Sequence, residues 1–155
     1  MMKPILILLL LPIVSISQSY DELKSINDLD QFKKVMIENK YQFDKVDDDG
    51  GVIYGFGLVK DEENGNKSEK WGLYNEDGSW SLQFIDRETI IYRYGDYESI
   101  TESIKDECRY DNIVSRNGVD FVSYRCDDSK FNGTIGFVID DNAGYIRYFP
   151  NIKDE

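Results

Sequence analysis

The chain contains no histidine, and that absence removes more chemistry than any other feature of it. Ser–His–Asp triads, Cys–His dyads and His-liganded zinc all need an imidazole, so each is excluded. Cysteine is scarce at two residues, Cys108 and Cys126, too few for a structural zinc site built from thiolates alone. Proline is down to three, and no stretch rich in Pro, Gly and Ser divides the chain, so a second domain is not expected. Positive charge is in deficit: 18 Lys and Arg face 30 Asp and Glu, a net charge of −12. Nucleic acids and anionic membrane surfaces are bound through Lys and Arg, so neither is an expected partner. Such a charge suits a basic protein partner, loosely held cations, or solubility alone.

Long apolar runs are also absent apart from one. Ile5 to Val14 is almost wholly apolar, with Pro12 interrupting, Lys3 before it and Ser15-Ile16-Ser17 after it. A positive start, about ten apolar residues and small residues at a cleavage site make a secretory signal peptide, and the run is short of the roughly 20 residues of a membrane span. The expectation is a signal peptide at 1–17 and a single domain at 18–155, periplasmic or extracellular, with no stable membrane span once the signal is removed. No cysteine follows the run, so a lipid-anchored form is not expected. The mature chain keeps 138 of the 155 residues, 17 of the 18 basic ones and all 30 acidic ones, a net charge of −13. In an oxidising compartment an even pair of cysteines predicts a Cys108–Cys126 disulfide. Closing a loop of about 18 residues stabilises a fold by about 3 kcal/mol in the chain-entropy picture.

Phosphate-binding and calcium signatures fail on inspection. Gly55 and Gly57 are followed by Leu-Val-Lys-Asp with no third glycine, and no G-x-x-x-x-G-K-[ST] occurs. An EF-hand starting at Asp47 would place Gly51 at its fifth position, Val52 at its sixth and Leu58 at its twelfth, none of them the required residue. No cofactor is expected.

What the chain does have is aromatic mass, 14% of residues with eleven Tyr and eight Phe, enough to build a core. It also resembles itself. Phe43, Asp44, Val46, Gly51, Val52 and Tyr54 match Tyr110, Asp111, Ile113, Gly118, Val119 and Phe121 at a constant spacing of 67. Each segment follows an amphipathic helix: Leu29, Phe32, Val35 and Met36 stripe the first, and Tyr97, Ile100, Ile104 and Cys108 the second. Asn27 or Asp28 is placed to cap the first, and Asp96 the second. Further on, Trp71-Gly72-Leu73-Tyr74 matches Ile135-Gly136-Phe137-Val138 at a spacing of 64.

Alternating apolar residues predict strands over Gly51–Lys60, Thr89–Tyr94, Val119–Cys126, Thr134–Ile139 and Tyr145–Phe149. A hairpin is expected around Asp77-Gly78, with Trp71 and Leu73 in phase with Trp80, Leu82 and Phe84 as core. Asp61–Lys70 reads as a polar excursion, the segment most mobile and most open to a partner. The fold expected is α+β: an antiparallel sheet of about six to eight strands with two helices on one face, a tandem duplication of an α-β-β-β unit over about 27–88 and 94–150.

Two clusters point towards binding. Tyr92-Arg93-Tyr94 and Tyr145-Ile146-Arg147-Tyr148 end strands and mix Tyr with Arg, residue types favoured at protein interfaces. The candidate surface is therefore Tyr92, Arg93, Tyr94, Tyr145, Arg147 and Tyr148. The reading is a non-catalytic exported protein whose acidic, tyrosine-bearing sheet face engages another exported or envelope protein. The helix-then-sheet duplication resembles small exported inhibitor domains built from tandem α/β repeats, which display a concave sheet to an enzyme; the resemblance is one of fold alone. The alternative is a cell-envelope glycan-binding or carboxylate-based glycan-hydrolysing domain, needing two Asp or Glu across a cleft and exposed Trp71 or Trp80 for stacking.

Overall fold

The structure, a computed structural model, describes residues 18–85, 96–128, 131–139 and 143–150. The leader expected at 1–17 and the strand expected at 89–94, with Tyr92, Arg93 and Tyr94, lie outside the described residues.

Among the described residues there are three helices, and the first two open on caps, while Asp96, expected as the cap of the third, is its first residue. The first, α1 (Tyr20–Lys24), opens on a capping box between Ser19 and Glu22. It is one short helix more than the sequence predicts. Asp28 caps α2 (Leu29–Glu38), accepting from the Gln31 amide at 2.8 Å, and Phe32, Val35 and Met36 are its buried side. Lys40, at φ 64°, turns the chain out of α2 into the sheet. The expected stripe of α3 (Asp96–Glu107) is buried as read, through Tyr97, Ile100 and Ile104.

Four strands follow each of the two longer helices, one more per half than the α-β-β-β unit expected. They are β1 (Tyr41–Val46), β2 (Val52–Phe56), β3 (Lys70–Tyr74) and β4 (Trp80–Ile85), then β5 (Arg109–Arg116), β6 (Val119–Asp128), β7 (Phe131–Ile139) and β8 (Ala143–Pro150). They make one antiparallel sheet in the order β1-β2-β3-β4-β8-β7-β6-β5. Each half is thus a meander running inward from an edge, and the last strands of the two halves pair at the centre, Leu82 opposite Ile146.

The internal match survives in β1 and β5 and shifts beyond them. Both strands carry a bulge, between Phe43 and Lys45 and between Tyr110 and Asn112, at the same spacing of 67. Edge-on ring pairs sit beside the bulges, Phe43 with Tyr54 at 5.7 Å and Tyr110 with Tyr124 at 6.0 Å. By register, then, Tyr54 corresponds to Tyr124 and not to Phe121, and Gly72 corresponds to Ile135. The cause is turn length. The first hairpin closes through Asp47–Gly51, whereas the second closes through Asn117-Gly118, with φ of 52° and 79°, a two-residue turn of the I′ kind. An odd change in register exchanges the faces of a strand.

The core lies between the helices and one face of the sheet. Trp80, Leu82 and Phe84 of β4 and Ile146 of β8 are fully buried there beneath Phe32, Met36, Ile100 and Ile104. Gly72 lets α2 sit low on β3: a Cβ there would lie 2.6 Å from the Met36 sulfur. Two cross-links tie distant segments together. Lys70 of β3 and Asp96 of α3, 3% and 1% exposed, form a buried ion pair at 2.5 Å, with the ammonium 4.7 Å above the Phe56 ring. The expected Cys108–Cys126 disulfide joins the end of α3 to β6, and the Tyr20 hydroxyl lies 3.0 and 3.2 Å from its sulfurs, fastening α1 to it. Among the described residues no helix is long and apolar enough to cross a membrane.

Candidate functional site

Strand alternation sends every second side chain to the face that the helices leave open. Two rows cross its centre: Trp71, Gln83 and Tyr145 stand side by side on β3, β4 and β8, and Leu73, Ser81 and Arg147 form the next row. Ser81 and Gly136 flank Arg147 in its row, and these small residues leave a depression. Lys45 and Ile53 wall it on one side, Arg116 and Phe121 on the other, and the groove measures about 640 Å³.

Gln83 donates from Nε2 to the Tyr145 hydroxyl at 2.9 Å, fixing that ring. Arg147 and Arg116 flank a single aromatic ring, their guanidinium carbons 5.3 and 5.7 Å from the centroid of Phe149. Phe149 in turn stands edge-on to Phe121 at 6.1 Å. The Nε of Arg147 is buried with no hydrogen-bond partner among the described residues. Burial lowers the Arg147 pKa from its ordinary value; Asp77 opposes the shift and the neighbouring Arg116 reinforces it. Asp77 itself is held below the usual carboxylate range, first by hydrogen bonding to Ser79, whose amide donates at 2.8 Å, and also by the two arginines.

The Asp61–Lys70 segment borders this groove instead of standing apart. Asp61 accepts from the amides of Glu63 and Asn64 at 3.0 Å each, which lowers its pKa. Asn66 reaches across to Asp44 at 2.6 Å, bringing Gly65 and Asn66 to the rim. The part of the loop nearest the groove is thus organised by its own polar side chains.

Of the residues singled out in the sequence, Tyr145 and Arg147 meet in the groove. Tyr148 does not join them: it faces the helices, is 8% exposed and stacks on Trp80 with centroids 5.6 Å apart. The hairpin phase also differs from expectation. The ladder pairs Tyr74 with Trp80 across the Asn75–Ser79 turn, which puts Trp71 opposite Gln83. Trp80 is core as expected, with no exposed surface, while Trp71 and Leu73 belong to the open face. Arg116 and Phe149 were not singled out, and Phe121 only as the repeat counterpart of Tyr54. The polar residues Ser81 and Gln83 between Trp80, Leu82 and Phe84 mark the open face, and Asn117-Gly118 marks the turn that brings Arg116 to it.

A second depression of about 570 Å³ lies on the helix side, between α3 and the strands carrying Val122, Phe137 and Ile139. Lys105 arches over Phe137 at 5.7 Å there and pairs with Glu102. Among the described residues no three His, Cys, Asp or Glu side chains gather as a metal-ligand set. Comparisons of the chain with family models, with curated proteins and with solved structures return no match.

In chemical terms the open-face groove offers an indole, a phenol, aliphatic walls and two guanidiniums, with Asp44 as the one carboxylate in its described lining. Those are groups that bind and orient. The face expected to be acidic is, among the described residues of the groove, lined by three cations against one carboxylate.

Proposed function

We propose that this protein is an exported, non-catalytic binding module that engages another exported or envelope protein through the open face of its sheet. The observation that carries the reading is the cluster of Trp71, Tyr145 and Arg147, half-buried at the centre of a sheet whose opposite face is sealed by helices. Trp, Tyr and Arg are the residue types that dominate binding energy at protein interfaces, and they do so from central, partly desolvated positions such as these. The buried disulfide supports delivery to an oxidising compartment, periplasmic or extracellular. The matched bulges of β1 and β5 support descent of the two halves from one duplicated unit, a helix followed by four strands.

The test is affinity capture by the purified protein from envelope and secreted fractions, at low and moderate salt, alongside the Trp71→Ala variant. Saturable capture of one protein by the wild type, weakened by the substitution, is the expected result. Absence of any saturable partner at both salts overturns the reading.

A glycan-binding role draws on one observation, the Trp71 indole beside Tyr145 and Gln83. Quenching of Trp fluorescence by soluble envelope oligosaccharides, lost in Trp71→Ala, would favour it over a protein partner. Hydrolysis has less support, because the described lining supplies one carboxylate where a pair is needed.

A further inference from the structure

We propose that the open-face groove receives an extended, acidic segment of the partner protein, with a side-chain carboxylate held between Arg116 and Arg147 and the apolar side chain two positions along against Trp71 and Leu73. This rests on the protein-binding reading above and names the chemistry of its occupant.

Charge complementarity is the main argument. The chain carries 30 Asp and Glu, and its described cations mostly pair with one of them or, like Lys40, Lys45, Lys60 and Lys67, stand singly in solvent. Lys24 pairs with Asp21 and Glu107, Lys70 with Asp96, Lys105 with Glu102 and Arg125 with Asp111. Arg116 and Arg147 pair with none among the described residues, although both are drawn together over one ring. Two like charges beside a shared ring repel each other, and burying part of Arg147 adds a desolvation cost. Asp77, whose charge is felt by both, is committed to Ser79.

An incoming carboxylate relieves all of this at once. It places a negative charge between two positive ones, and it can accept from the buried, unpartnered Nε of Arg147 in the two-pronged geometry that guanidinium and carboxylate share. The Phe149 ring, 5.3 and 5.7 Å from the two guanidinium carbons, gives both arginines a common apolar neighbour before a ligand arrives.

The apolar half of the groove decides between a protein segment and a small free anion. Trp71, Leu73 and Ile53 lie on the strands beyond Ser81, outside the immediate reach of an ion seated on the arginines. A bare anion leaves that wall wet. An extended chain presents alternate side chains to one surface, and an acidic residue with an apolar neighbour two positions along fills both halves.

Three short capped peptides test this, with the sequence Phe-Gly-Xaa-Gly-Phe and Glu, Gln or Lys at Xaa. They are titrated into the isotope-labelled protein while the Trp71 indole and Arg147 Nε resonances are followed. The expected result is saturable shifts with the Glu peptide at an affinity about tenfold or more above the Gln peptide, a difference of about 1.4 kcal/mol. Arg147→Gln and Arg116→Gln should each erase that preference without lowering the melting temperature. Equal binding of the three peptides, preference for Lys, no binding at all, or a Glu preference that survives both variants overturns the proposal. Acetate and inorganic phosphate are titrated in parallel; saturation by either at the peptide's concentration assigns the groove to small anions and overturns the segment. Partner capture separates the two levels of claim. A partner held equally by wild type and Arg147→Gln defeats this inference alone, whereas no partner for the wild type defeats the binding-module reading.

Discussion

On β4 the two faces of the sheet can be compared residue by residue. Trp80, Leu82 and Phe84 point towards the helices and are buried, while Ser81 and Gln83 between them point into the groove beside Arg147 and Tyr145. The first set interlocks with Phe32, Met36, Ile100 and Tyr97. The second leaves a depression in which a guanidinium nitrogen is buried without a partner. One face is filled for volume; the other is underfilled, and the bonding capacity left over in its depression is what a ligand can use. Stability and recognition therefore sit on opposite sides of the same backbone, and substitutions should separate them.

The largest effects are expected on the helix side. Phe32→Ala removes a fully buried ring packed on Tyr54 and Tyr74 and should cost about 3–5 kcal/mol, a large part of an ordinary domain's stability. Urea unfolding measures it. A loss below about 1 kcal/mol would mean that the helix layer is not the core.

The Lys70–Asp96 pair tests the same face by charge. Lys70→Met takes the ammonium away from a buried carboxylate and should cost about 3–5 kcal/mol, while Lys70→Met combined with Asp96→Leu should recover most of that loss. If the double variant is no better than the single one, the pair contributes through something other than mutual neutralisation. The disulfide comes next. Cys108→Ser with Cys126→Ser should lower stability by about 3 kcal/mol, and dithiothreitol should do the same to the wild type. Because the bridge sits at the α3 end on the helix side, peptide binding at the groove should persist below the lowered melting temperature.

How far the sequence discloses each face follows from what fixes it. The helix stripes, the disulfide and the antiparallel class were legible, because 3.6-residue periodicity and cysteine pairing are properties of single segments. The open face was only half legible: Tyr145 and Arg147 were found, Trp71 was assigned to the core, and Arg116 was passed over. Which face a strand residue takes depends on register, and register depends on turn length across two strands. The five residues of Asn75–Ser79 and the two of Asn117-Gly118 made those choices. Phe121 shows the same failure, since the spacing of 67 aligns it with Tyr54 although the two side chains face opposite sides. The short α1 was missed because five residues carry too little periodicity to register.

Asp77 sharpens the comparison from the rim. Its folded pKa is lowered, so the stability it contributes is fully present above the ordinary carboxylate value and is lost as pH falls through the depressed one. Asp77→Asn should therefore flatten the acid limb of the stability–pH curve, read by melting temperature between pH 7 and about pH 2. The same variant removes the carboxylate that opposes Arg116 and Arg147. Glu-peptide affinity should rise in Asp77→Asn even as acid stability changes, and a fall in affinity would mean that Asp77 positions the arginines more than it screens them.

The smallest stability effects are expected in the groove itself, and they matter because the binding effects there should be the largest. Trp71→Ala and Arg147→Gln alter side chains that only one face of the sheet supports, so each should change unfolding free energy by about 1 kcal/mol or less. Arg147→Gln should even raise the melting temperature slightly, since it relieves the repulsion with Arg116. A stabilised protein that no longer prefers the Glu peptide would be the signature of a residue kept for recognition at some expense to the fold. A loss of several kcal/mol at either position would instead place the open face within the core, and the distinction between the two faces would fail.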